Sequence, residues 1–171
     1  MSDPKIIKYP DMKVIMRKDF YEKFGEHLKK ITEDTGATYF GHNLIKNYME
    51  EGHKISTFCT HEDWHQLYWD KYRNEDPMEK ICHQAAKKNN LGVVSWAIGQ
   101  QSSPCGQERR MLTGVQDGIF LSFKRPENYF ETFLIGWDDL DPEKLDTHYI
   151  SHLSSLLKPL RDYHWDVHSK V

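Results

Sequence analysis

Three kinds of feature are missing from this sequence, and each absence narrows what it encodes. There is no run of about eighteen apolar residues, the minimum for a helix that crosses a bilayer, and the N-terminal MSDPKIIKYP lacks the apolar stretch of a secretory signal. The expected location is the cytoplasm, with no membrane partner. Cysteine is scarce: Cys59, Cys82 and Cys105 are an odd number with no CxxC pair, as suits reduced thiols in a reducing compartment. Cys82, inside a helical stretch, reads as a buried free thiol. A basic block is also missing. The net charge is -3 with both signs interleaved along the chain, which argues against direct binding to a phosphate backbone, where concentrated Lys and Arg are required.

The chemical motifs of common enzymes are absent as well. There is no GxSxG, no phosphate-cradling glycine loop and no dinucleotide fingerprint, so no catalysis and no cofactor is expected. His61 and His65 have the spacing of a helical ligand pair, yet no HExxH-like third group accompanies them. They read as surface histidines, and the cluster His148, His152, His164 and His168 reads as surface or partner-facing.

What is present is a chain of 171 residues and 20.3 kDa with a mean hydropathy of -0.76, enough for one hydrophobic core. We expect a single domain over 1–171. Aromatic residues make up 13% of it, including five Trp. That excess suits either a cavity walled by rings or a bulky core.

Periodicity places the elements. Phe20, Phe24, Leu28 and Ile31 recur at helical steps over 19–35, with Gly36 as a stop. Residues 37–44 and Lys54–Cys59 read as neighbouring antiparallel strands. Thr60 then stands as a cap, with Asp63 three residues on, for a helix over 62–76 that carries Trp64, Leu67, Tyr68 and Tyr72 on one face. Pro77 separates this from a helix at 78–88. A short strand at 93–96, a polar loop at 99–106, a short helix at 107–112 and strands at 118–123 and 129–137 follow. A long helix at 142–167, kinked at Pro159, closes the chain. The expected class is α/β: a five-stranded antiparallel sheet sandwiched between helices, since the last two strands lie too close for a parallel crossover.

One constellation stands out. Trp64 and Tyr68 share a helix face, Asp76 precedes the helix-breaking Pro77, and Trp96 ends the next strand. An indole N–H and a phenol O–H can donate to ligand carbonyls, a carboxylate can accept from an amide, and the rings can pack an apolar portion. The same residues can instead pack against one another as core, with Asp76 capping a turn.

This order of residues resembles the autoinducer-binding domain of LuxR-type quorum-sensing regulators, over roughly 19–160. That family carries a Trp, a Tyr four residues on, an Asp-Pro dipeptide and a second Trp after the next helix. The resemblance implies an α-β-α fold of PAS or GAF type and an N-acyl-homoserine lactone ligand. It implies that Trp64 contacts the lactone carbonyl, that Asp76 takes the amide N–H, and that Tyr68 and Trp96 line the pocket. Thr60, where members often have a Tyr on the acyl carbonyl, and its neighbour Phe58 complete the expected ligand-binding set. The Tyr68 to Asp76 spacing is one residue shorter than is usual, and the Asp76 to Trp96 spacing several longer.

The family continues into a helix-turn-helix domain, and no such DNA-binding domain is expected within these 171 residues. The expected action is therefore signal sequestration, or pairing as a homodimer or as a heterodimer with a full-length regulator. The competing expectation is a protein-protein interaction module with a filled pocket, using Tyr163 and Trp165 of the last helix.

Overall fold

In the computed structural model the structure describes residues 13–16, 30, 33, 35–48, 50–96 and 103–138. Its centre is a sheet of six strands: β1 (Lys13–Met16), β2 (Tyr39–Lys46), β3 (Lys54–Cys59), β4 (Leu91–Ser95), β5 (Asp117–Arg125) and β6 (Tyr129–Trp137). Their spatial order is β1-β3-β2-β6-β5-β4. The five strands read from the sequence pair with one another antiparallel throughout. The additional edge strand β1 runs parallel to β3; four residues, KVIM, are too short a run to give a readable period. The central pairing is β2 with β6, which joins the N-terminal hairpin to the C-terminal one over eight residue pairs.

Three helices follow the expected order with shifted ends. The first, α1 (Glu62–Leu67), passes into a π-helical segment at Tyr68–Tyr72 instead of running on to residue 76. The second, α2 (Met78–Asn89), starts just after Pro77, where Asp76 Oδ1 accepts from the Met78 N–H at 3.0 Å. The third, α3 (Pro104–Thr113), begins three residues earlier than its periodicity suggests, because Pro104 occupies the first turn and Ser103 Oγ accepts from Gly106 N at 3.0 Å. The expected Thr60 cap does not form. The residue capping α1 is His61, and Thr60 Oγ1 instead accepts from Phe40 N at 3.0 Å.

Strand alternation gives the sheet two different faces. On one lie Tyr39, Asn43, Ile45, Thr57, Cys59, Phe120, Phe130 and Leu134, and α1, α2 and α3 cover it. Along this face the residues form cross-strand rows: an apolar one through Leu134 and Phe120, a polar one of Thr57, Asn43, Thr132 and Ser122, and an apolar one of Ile55, Ile45 and Phe130. The opposite face carries Phe40, Phe58, Ile119, Leu121, Phe133 and Ile135, all buried. It also holds a closed ionic group: Glu131, fully buried, meets His42 Nε2 at 2.9 Å and Arg125 Nε at 3.0 Å.

The expected helix at 142–167 and most of that at 19–35 lie outside the described residues; 30, 33 and 35 are helical. Among the described residues no helix is long and apolar enough to cross a membrane.

Phe133 sits at the middle of β6, fully buried, 5.0 Å from the His42 ring and 6.0 Å from that of Phe123. Its replacement by alanine should cost about 3–5 kcal/mol in urea unfolding. Met111→Ala, at an 83% exposed position, should stay within about 0.5 kcal/mol. Equal effects at the two positions would place the core elsewhere.

Candidate ligand site

The sheet supplies the floor of a pocket with Tyr39, Asn43, Phe120 and Leu134, and α1 with its π segment supplies a wall with Trp64, His65, Tyr68 and Trp69. Asp76, Trp96 and Arg109 close one end. The π segment matters for this arrangement. Its wider turn holds Trp64, Tyr68 and Tyr72 together, with ring centroids 5.9 and 6.0 Å apart, while Trp69 also reaches the pocket. About 30 Å³ of the interior admits the centre of a water molecule, room for a few waters at most. The wider cleft, part of it open to solvent, measures about 410 Å³.

Trp96 has the most constrained side chain at the site. Its indole lies over Gly118 and Gly136, where a Cβ would fall 2.8 and 3.0 Å from ring carbons. On its other side the Arg109 guanidinium stands 4.2 Å from the ring centre. Tyr39 and Phe120 meet it edge-on at 5.3 and 5.9 Å. The ring is thus fixed, and its buried Nε1 has no hydrogen-bond partner among the described residues. Arg109 is itself buried, and desolvation lowers its pKa against the raising influence of Tyr39 and Asp117.

The carboxylate end is equally defined. Tyr68 donates its hydroxyl to Asp76 Oδ2 at 3.1 Å, while Asp76 Oδ1 is held by the α2 N-terminus. Burial, then the Asp76 and Glu79 charges, push the Tyr68 phenol well above its ordinary range. Glu79, buried beside them, is raised to about 7 by desolvation, with Arg73 opposing and Asp76 adding. Its Oε1 is unpartnered among the described residues.

Trp64, Tyr68, Asp76 and Trp96 therefore line one pocket. Phe58 and Thr60, from the same expected set, do not. Phe58 faces the other side of the sheet, because in β3 it alternates with Thr57 and Cys59. Thr60 is spent on the Phe40 amide and the His61 ring. Burial pushes the Tyr39 phenol at this end well above its ordinary range, with the Cys59 thiol adding and Arg109 and Trp64 opposing. At this end the Trp96 indole N–H is a buried donor without a partner among the described residues.

His61 and His65 are not surface histidines. His61 stacks on Tyr39 at 5.2 Å, and His65 Nε2 lies 2.8 Å from Thr57 Oγ1, because both project inward beside Trp64. Among the described residues no group of three metal-ligating side chains occurs. The three cysteines are free and buried, and burial pushes their thiols to about 11 for Cys59 and about 12 for Cys82 and Cys105. They stay protonated at neutral pH.

Reading the sequence missed Tyr39, Asn43, Trp69 and Arg109. Alternation in β2 would have placed Tyr39 and Asn43 on one face with each other. A buried arginine leaves no comparable mark.

No family model matches the sequence, and no curated protein matches it significantly. Solved structures do. The N-acylhomoserine lactone-dependent LuxR family transcription factor CepR2 from Burkholderia cenocepacia superposes with a TM-score of 0.51 at 14% identity, over 81% of this chain and 78% of that one. The fold is that of a LuxR-type regulator. Escherichia coli SdiA agrees, with a TM-score of 0.50 at 12% identity, over 82% of this chain and 60% of its own. SdiA in complex with octanoyl-rac-glycerol gives 0.51 at 13%, over 85% of this chain and 62% of its own. The chain thus spans less than two thirds of SdiA. The LuxR-type resemblance and the α/β sheet expected from the sequence are both supported by these neighbours.

The glycine seat of Trp96 is directly testable. Gly136→Ala puts a methyl 2.6 Å from Val115 Cγ1 and 3.0 Å from the indole, so it should cost about 1–3 kcal/mol in denaturant unfolding and red-shift tryptophan emission. A substitution neutral in both measurements would mean that the ring does not rest on this floor.

Proposed function

We propose that this chain is a small-molecule receptor whose pocket takes an amide-containing, partly apolar ligand of the N-acyl-homoserine lactone type. One observation carries the reading. A rigid, buried indole N–H at Trp96 has no partner among the described residues and lines the same pocket as the Asp76 carboxylate and the Tyr68 hydroxyl. An orphaned donor of this kind costs stability unless an acceptor meets it. A ligand carbonyl on Trp96 and a ligand amide N–H on Asp76 satisfy both. The neighbours support the ligand class: CepR2 is described as N-acylhomoserine lactone-dependent, and SdiA holds octanoyl-rac-glycerol, also a polar head on an acyl chain.

The head-group assignment differs from the one implied by sequence resemblance, since the carbonyl goes to the Trp96 indole N–H, buried and without a partner among the described residues, in place of that of Trp64. Because the enclosed space is small, binding of an acyl chain requires the α1 and π-segment wall to move outward from the sheet. The protein acts by sequestering its ligand, or by pairing as a homodimer or with a full-length regulator, in the cytoplasm and without catalysis. The small cavity and the mutual Tyr68–Asp76 hydrogen bond favour, as second reading, an interaction module whose pocket is filled by its own side chains.

Thermal unfolding separates the two. N-acyl-homoserine lactones from butanoyl to dodecanoyl, and 1-octanoyl-rac-glycerol, are added to the full chain. A binder gains about 2.7 kcal/mol at a hundredfold excess over Kd, and a filled module gains nothing. Trp96→Phe keeps the ring and removes the N–H, so the best ligand should bind about five- to tenfold more weakly, one hydrogen bond's worth. No shift with any compound sinks the receptor reading.

A further inference from the structure

The head-group end accounts for half of the pocket; the inner end has its own chemistry. The polar row lies directly across the floor there. Thr57, Asn43, Thr132 and Ser122 face one another on β3, β2, β6 and β5, and each is buried. The row is tied by hydrogen bonds: Thr57 Oγ1 to Asn43 Oδ1 at 2.5 Å, Thr132 Oγ1 to Ser122 Oγ at 3.1 Å, with His65 Nε2 at 2.8 Å from Thr57.

Two donors stand at this end. The Trp69 indole Nε1 is buried and has no partner among the described residues. The Asn43 carboxamide spends its oxygen on Thr57, which leaves its Nδ2 as the group it can offer. Both residues line the pocket. Past the row the sheet face is solid, with Ile45, Ile55, Ala86 and Phe130 at 0–5% exposure. From Tyr39 to Asn43 the floor spans four residues of strand, about 13 Å. An alkyl chain reaching the row would press methylenes on polar side chains and on the unpartnered Trp69 N–H, and find no space beyond.

We infer that the inner end of this pocket is a second polar subsite, built from Asn43 and Trp69, which recognises a hydrogen-bond acceptor at the tail of the ligand. The ligand is then a molecule polar at both ends and apolar between, such as an acyl chain ending in a hydroxyl or carbonyl. A long saturated chain is disfavoured. This rests on the receptor reading and narrows its ligand class.

The test uses homoserine lactones with acyl chains from four to twelve carbons, each as the plain chain and with a terminal hydroxyl, titrated into the full chain by calorimetry. At the best-fitting length the hydroxylated compound should bind about tenfold tighter, the discrimination expected when a buried donor is otherwise left unpaired. Asn43→Leu and, separately, Trp69→Phe should erase that preference while plain chains bind as well or better, with unliganded melting recorded to confirm folding. Plain long chains binding tightest to the wild type, or a preference untouched in both variants, would overturn the second subsite while leaving the receptor reading intact. Binding by none of the compounds would remove both.

Discussion

The position of the Trp96 indole is the constraint on which the rest of the site depends. The ring fits only because β5 and β6 present hydrogen in place of side chains at Gly118 and Gly136, and it stays because Arg109 of α3 covers its outer face at 4.2 Å. One side chain thereby ties β4, β5, β6 and α3 together around a single point. Its dispersion contacts and the cation–π attraction are individually modest. Together they place an N–H donor rigidly in a low-dielectric space, where a hydrogen bond to it is strong and its absence is costly.

The two faces of the sheet handle buried polarity in opposite ways. Opposite the helices, Glu131 is paired on both oxygens, His42 on Oε1 and Arg125 on Oε2. Under the helices, the indole donors of Trp69 and Trp96 remain without a partner among the described residues. The indole donors of Trp69 and Trp96 thus belong to the face on which the pocket lies. The Glu79 carboxyl, raised to about 7 by burial with Asp76 adding, is about half protonated at neutral pH.

Much of the fold was legible in the sequence, because strands such as Asp117–Arg125 and Tyr129–Trp137 are long, aromatic and β-branched, and tertiary packing agrees with local preference. β1 escaped, since its pairing with β3 is set by the sheet and not by its four residues. The Asp76-Pro77 stop was read for the right reason. The π segment was not, because a widened turn leaves hydrophobic spacing nearly unchanged. Of the expected site residues, four meet at the pocket, while Phe58 fails by a shift of one residue on β3 and Thr60 by being consumed in the strand connection. The half of the site contributed by Tyr39, Asn43 and Arg109 follows from which strands and helices are neighbours, and sequence order does not disclose that.

The most direct measurement is the set of tryptophan indole N–H resonances in proton–nitrogen spectra during titration with N-hexanoyl-homoserine lactone. The Trp96 signal, identified by its loss in Trp96→Phe, should move downfield as its N–H gains an acceptor, and further than that of Trp64. A Trp96 signal that stays fixed at saturating ligand would contradict the assignment of this indole as the receptor's head-group donor.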